Sequence, residues 1–145
     1  MEEAGGLKKL MVLALLGNGP VQGRTRMMKL LFLAQDRARK RGIELDGGFE
    51  FIPYRFGPWS YEVLMVLEEL QQEGLVEEEV EETSYGPRFR YFLTRRGREE
   101  AEKARQKLPP EIVEELDRVY REWAQRRLIE LIAYIYKKYP DYAPA

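Results

Sequence analysis

Gly57-Pro58-Trp59-Ser60, followed by Tyr61 to Glu82, is the stretch whose reading decides the fold. A helix-breaking dipeptide leads into a segment where Val63, Leu64, Val66, Leu67 and Leu70 recur at helical spacing. Gly74 ends that helix, because glycine tolerates the left-handed backbone favoured just past a helix terminus. Leu75-Val76 then restarts the chain as a strand. The acidic run Glu77, Glu78, Glu79, Glu81 and Glu82 faces the basic run Arg88, Arg90 across Thr83-Ser84-Tyr85-Gly86-Pro87. Those five residues are turn formers, so two strands, Leu75–Glu82 and Arg88–Leu93, are predicted around them.

Working outward, Leu7 to Leu16 reads as an apolar helix with Leu7, Leu10, Met11, Ala14 and Leu15 on one face, ended by Gly17-Asn18-Gly19-Pro20. A second helix runs from about Thr25, its expected N-cap, to Arg41. Met27 to Ala34 is apolar almost all round apart from Lys29, which implies burial on several sides. Lys29 is expected to snorkel to the surface, with anion binding or a carboxylate partner as the alternative. The basic tail, Asp36 to Arg41, is expected to face solvent. Phe49-Glu50-Phe51-Ile52-Pro53-Tyr54 suggests a short strand, at an edge because Pro53 cannot donate to a ladder. Thr94 caps a helix running to about Lys107, in which Gly97 allows close approach of a neighbouring backbone. Pro109-Pro110 opens an amphipathic helix from Ile112 to Trp123. Its phase is lost at Gln125-Arg126-Arg127 and resumes from Leu128 to Pro140, so a bend or two helices are expected.

This order reads as mainly α with a small β-hairpin: a winged helix-turn-helix core plus a C-terminal helical extension. The core spans 1–108, with an extra segment, 42–57, before the third helix. Residues 109–145 pack on it or on a second copy, and a homodimer is expected because the last helices are apolar on more than one face.

Composition removes several function classes. The 145 residues hold no Cys and no His, which excludes thiol nucleophiles, histidine bases and Cys/His zinc sites. No carboxylates fall in a metal or acid/base motif, so neither catalytic residues, metal ligands nor cofactor are expected, and the chain reads as non-enzymatic. The loop Gly19 to Thr25 lacks the glycine spacing and the lysine of a phosphate-cradling loop. Charged residues make up 34%, against about a quarter in typical domains, yet the net charge is only −1. No overall field draws nucleic acid, and the abundance of Glu and Arg without Cys is thermophile-like. No leader or membrane-spanning run is apparent, and a cytoplasmic protein is expected.

Gly23-Arg24-Thr25 with Lys29-Leu30-Leu31-Phe32-Leu33, then Phe56-Gly57-Pro58-Trp59-Ser60, Leu93-Thr94 with Gly97, and Tyr139-Pro140 together resemble the YwgA-type proteins, a group similar to the Panacea domain of SocA-like antitoxins. The resemblance covers nearly the whole chain. It implies a winged-helix-like fold with an extra segment between the second and third helices, and it brings no catalytic residues. MarR- and PadR-type regulators share only the layout of Gly-Leu-Val followed by Leu-Thr-x-x-Gly.

Two partner classes follow. For duplex DNA, a transcription regulator would use the wing arginines Arg88, Arg90, Arg95 and Arg96 and the tract Arg24, Arg26, Arg37, Arg39, Lys40 and Arg41 on phosphates. Gln71 and Gln72 would be its base readers. The bland counterpart is that the wing arginines neutralise the acidic strand and the tract complements a helix C-terminus. The third helix argues against DNA, because Glu62, Glu68, Glu69 and Glu73 would repel phosphate. The alternative is a protein-interaction module of antitoxin or adaptor type. It would use Glu62, Glu69 and Glu73 with the aromatic cluster Phe51, Tyr54, Arg55, Phe56 and Trp59, unless that cluster is simply core between the second and third helices.

Overall fold

The computed structural model describes residues 3–144, with side chains from Gly6 onward; the outermost residues of the expected 1–108 and 109–145 segments lie outside that range. The described residues are mixed α/β, with six helices and two small antiparallel sheets among them. In order it runs α1 (Glu3–Leu16), β1 (Val21–Gln22), α2 (Arg24–Lys40), β2 (Ile52–Tyr54), β3 (Gly57–Trp59), α3 (Tyr61–Gln72), β4 (Val76–Thr83), β5 (Gly86–Leu93), α4 (Arg95–Lys107), α5 (Pro110–Trp123) and α6 (Leu128–Lys138). A 3-10 turn, Pro140–Tyr142, follows. The β part exceeds the single hairpin expected. β1 adds to the hairpin in the order β1-β5-β4, and β2-β3 form a separate sheet.

α1 and α2 form the centre of the core. Met11 to Leu16 and Met27 to Ala34 are buried without a break, so each helix is surrounded. Continuous apolar sequence is the cause: a helix apolar all round finds its minimum only when other elements cover every face. The N-cap of α2 is Gly23 rather than Thr25. Gly23 has φ 93°, and its N–H donates to the Phe89 carbonyl at 2.6 Å. The chain thus turns straight from β1, paired to β5, into the helix, and the cap falls two residues before Thr25.

Helix ends follow local chemistry closely. After α3, Leu75 N–H donates to Leu70 O and Gly74 N–H to Gln71 O, with Gly74 at φ 76°. This is a Schellman closure, completed by burial of both Leu70 and Leu75. α2 ends the same way, with Ile43 N–H to Ala38 O and Gly42 N–H to Arg39 O. Thr94 caps α4 as expected, its Oγ accepting from Gly97 N–H at 3.0 Å while its hydroxyl donates to Gly74 O at 2.7 Å.

Both hairpins use one device: two turn residues, then a positive-φ glycine. In β4-β5 the turn is Ser84-Tyr85 and Gly86 has φ 109°, so Pro87 lies in β5 and not in the turn. β1 pairs only with Arg90 and Tyr91, leaving one side of β5 open at Pro87, where a proline is tolerated. In β2-β3 the turn is Arg55-Phe56 and Gly57 has φ 104°. Gly57-Pro58-Trp59 is therefore a strand rather than a lead-in to α3, and the strand expected from Phe49 begins only at Ile52. Pro53 stands opposite Pro58. Neither can donate, so they must occupy a non-hydrogen-bonded pair, which leaves the ladder bonds to Ile52–Trp59 and Tyr54–Gly57. Phe49 is held instead by the buried amide of Gln35, which accepts from Phe49 N–H at 2.7 Å and donates to its carbonyl at 2.8 Å.

α5 packs across α2 and α1, burying Ile112, Leu116, Val119 and Trp123 in the same core. The expected break between the last helices falls at Ala124–Arg127. Among the described residues no helix is long and apolar enough to cross a membrane.

Candidate partner-binding surface

Most of the basic residues have internal partners. Arg26 is buried, and its guanidinium donates to the carbonyls of Gln22, Trp123 and Arg126. It finishes the C-terminus of α5, where the last carbonyls need donors and the helix dipole favours a cation. Burial lowers its pKa from the ordinary arginine value. Arg24 donates to the Tyr91 hydroxyl at 3.0 Å, pairs with Glu78 at 3.6 Å and stacks over the Phe89 ring. Burial, with the hydrogen bond to Glu78, pushes the Tyr91 hydroxyl up to about 12.

The tail of α2 ties to α5 instead of standing in solvent. Arg37 pairs with Glu122 at 3.1 Å and also donates to the Tyr134 hydroxyl. Arg41 bridges Glu114 and Glu115, both at 2.9 Å, and its hydrogen bonds to Glu114 and Glu115 raise its pKa. Lys40 pairs with Asp36 one turn back and lies over the Tyr139 ring. Arg39 is exposed. On the hairpin, Arg90 meets Glu79 at 2.9 Å, and Arg96 donates to the Glu73 carbonyl at 3.0 Å. Register sets Arg88 opposite Glu81, but the two make no ion pair among the described residues, so the acidic and basic strands neutralise each other at one position only. Gln71 is half-buried beside Arg24 and Tyr91, and Gln72 is exposed. The structure thus scatters the twelve residues expected to meet nucleic acid over several faces.

The other candidate set divides in two. Phe51 is core: its ring meets Phe32 edge-on at 5.3 Å and approaches Phe49. Tyr54 and Phe56 are exposed on the β2-β3 hairpin, Phe56 at 56%. Trp59 joins this hairpin to α3, with ring centroids 5.3 Å from Tyr54 and 6.0 Å from Tyr61. Ile52, cross-strand from Trp59, is exposed, as are Tyr61 and Met65 one turn further along α3, at 61% and 60%. Ile52, Tyr61 and Met65 were absent from the expected set. Their signal was phase: Met65 lies off the buried stripe Val63, Val66, Leu67 and Leu70 and shares a face with the polar residues.

Carboxylates edge the α3 side of this apolar strip. Glu62 accepts from Glu50 N–H and sits 3.8 Å from Lys8. Lys9 is shared between Glu69 at 3.9 Å and Glu73 at 2.6 Å. Glu50 and Glu68 are exposed and make no ion pair among the described residues. The surface is therefore an apolar centre with carboxylates on its α3 side, while on the hairpin the exposed Arg55 lies 5.8 Å from the centre of the Tyr54 ring.

Lys29 does not snorkel. It is 2% exposed, with Gly57 of β3 set against the end of its side chain. No known protein family, curated protein or solved structure matches the chain.

Proposed function

We propose that this chain is a non-enzymatic protein-interaction module built on a winged-helix scaffold. Its partner is a basic amphipathic segment of another protein, docking on Ile52, Tyr54, Phe56, Tyr61 and Met65. The scaffold reading rests on order and pairing: three helices precede the β4-β5 hairpin, and β1, between the first two, pairs with β5. In such a scaffold α3 is the presenting helix.

The carrying observation is the outward face of α3. It offers Tyr61, Met65 and Glu68, and of the arginine, lysine or amide donors a DNA reader would use it has only Gln72, at its last position. A contiguous set of exposed large apolar side chains marks an interaction site, and the unpaired rim carboxylates select a cationic partner and repel phosphate. Photo-crosslinking tests this, with the crosslinker at position 56 or 65 and, as control, at 103 on α4. A single partner protein captured from 56 and 65, absent from 103 and released by rising salt, is expected. Equal products at all three positions, or none, would overturn the docking assignment.

A second reading keeps duplex DNA as the partner. Arg88, Arg95 and Arg98 are exposed and free of ion pairs among the described residues. Three phosphate contacts would give anisotropy of a labelled random duplex a log–log salt slope of about −3. Binding of that kind, lost in the Arg88→Ala/Arg95→Ala/Arg98→Ala triple variant, would favour this reading over the protein partner.

A further inference from the structure

Lys29 is a buried charge without an answer. It lies in the second turn of α2 and makes no hydrogen bond or ion pair among the described residues. An unpaired ammonium held out of water is costly unless something compensates it. Its end lies against β3, where a side-chain carbon added at Gly57 would stand 3.4 Å from Nζ. Glycine at this position, already required by φ 104°, is also what leaves room for the ammonium.

The same ammonium lines a pocket of about 200 Å³ between α2 and the β2-β3 hairpin. Thr25, one turn before Lys29 on the same helix face, lines it too. Tyr54, Phe56 and Trp59 supply aromatic walls, and Arg55 supplies a second cation. No carboxylate lines it. The buried indole N–H of Trp59 likewise has no acceptor. One unanswered charged donor, with Arg55 as a second cation beside it, thus borders a small space walled by aromatic rings. This does not arise from a lack of alternatives in the sequence, since the surface is rich in carboxylates that could have paired Lys29.

We propose that this pocket binds a small organic carboxylate with a flat apolar body, the carboxylate against Lys29 and the body between the aromatic side chains. The Lys29 ammonium, with three donor hydrogens, can meet the single charge and two oxygens of a carboxylate, whereas a phosphate would bring more charge and more oxygens against walls that are mostly aromatic rings. Volume sets the size. At about 30 Å³ per water in the liquid, the pocket holds roughly six or seven waters' worth of ligand, which suits a one-ring acid and not a nucleotide. Burial alone pushes the Lys29 ammonium down to about 8; it is therefore still mostly charged at neutral pH, in keeping with an anion receptor.

Benzoate is the probe, with acetate and inorganic phosphate as comparators, each titrated calorimetrically into the full chain at neutral pH. Saturable one-site binding of benzoate is expected, with both comparators weaker. Lys29→Met, which keeps the length and removes the charge, should weaken benzoate on the order of tenfold or more, the worth of a charged hydrogen bond. In the wild-type protein, benzoate should shift the indole N–H resonance of Trp59 and leave that of Trp123 in place. This second measurement stands even if the variant does not fold. Absence of saturable benzoate binding, equal binding by a folded Lys29→Met protein, or a shift confined to Trp123 would each overturn the site. Phosphate binding more tightly than benzoate would overturn the carboxylate assignment, and acetate binding as tightly would overturn the flat apolar body.

Discussion

At the scale of single residues, Gly97 has its identity dictated by distance. A side-chain carbon at Gly97 would fall 1.9 Å from the Leu75 carbonyl oxygen, which is fixed backbone at the start of the hairpin. Nothing flexible can yield, so Gly97→Ala must separate α4 from the sheet. The expected loss is about 3 kcal/mol or more, typical of overpacking where backbone must move, and chemical denaturation measures it. Lys29 gives the opposite sign. Its pKa is lowered from 10.5 to about 8 by burial, so the unfolded chain binds the proton more tightly than the folded one. Below about 8 both states carry the proton and the full penalty is present; stability then rises with pH until the unfolded lysine also deprotonates near 10.5. Lys29→Met should therefore stabilise the unliganded protein by roughly 3 kcal/mol at neutral pH. Denaturation midpoints of variant and wild type should converge as pH approaches 10.5. A constant difference across that window would show that Lys29 is not titrating between the two values.

At the scale of elements, the ends of helices are held by side chains from distant parts of the chain. Arg26 on α2 closes the carbonyl end of α5 through Trp123 O at 3.0 Å and Arg126 O at 2.7 Å. Arg26→Ala would strand those buried acceptors, at a cost of about 1–3 kcal/mol. It should also raise amide hydrogen exchange over Ala124–Leu128 while leaving α1 protected; uniform acceleration would point to global destabilisation instead. The middle of α5 is tied down at Asp117, which accepts from both terminal nitrogens of Arg105 at 3.0 and 2.7 Å and from Asn18 at 2.9 Å. Burial opposes ionisation there, but the hydrogen bonds from Arg105 and Asn18 outweigh it and hold the pKa below the ordinary aspartate value. This contribution is present above the unfolded aspartate pKa and lost as pH falls through the folded one. Asp117→Asn should flatten the acid limb of the stability curve, read from thermal midpoints between neutral and acid pH; an unchanged limb would place the acid sensitivity elsewhere.

At the scale of the whole molecule, charge is mostly spent inward. α2 and α5 are laced by Arg37–Glu122 and by Arg41 with Glu114 and Glu115, and the hairpin crosses its own charges at Arg90–Glu79. Exposed pairs of this kind contribute little each, but they remove cations from the surface that a polyanion would need. What the surface retains is an apolar strip over the β2-β3 hairpin and α3, edged by carboxylates. Replacing Met65 by Lys should reduce partner capture through position 56 without lowering the thermal midpoint, because an exposed side chain off the core contributes little to stability. A drop in midpoint would mean that Met65 packs in the core after all.

Local chemistry alone determined much of this protein. The helices, the Thr94 cap, the glycine stops at Gly42 and Gly74, the close approach at Gly97 and the break near Gln125 were all legible, because each depends on residues within a turn or two of one another. The β2-β3 hairpin was not. Gly-Pro reads as a breaker, and only pairing Pro53 against Pro58, where neither must donate, makes a strand of it. The destination of the basic residues was likewise out of reach: Arg26 lies 97 residues from Trp123, and sequence spacing carries no information on which carbonyl or carboxylate a long side chain will find. An arginine on a surface and an arginine capping a remote helix are spelled alike. Only the packing of α5 across α2 decided between them, and it was the β2-β3 hairpin that closed the space around Lys29.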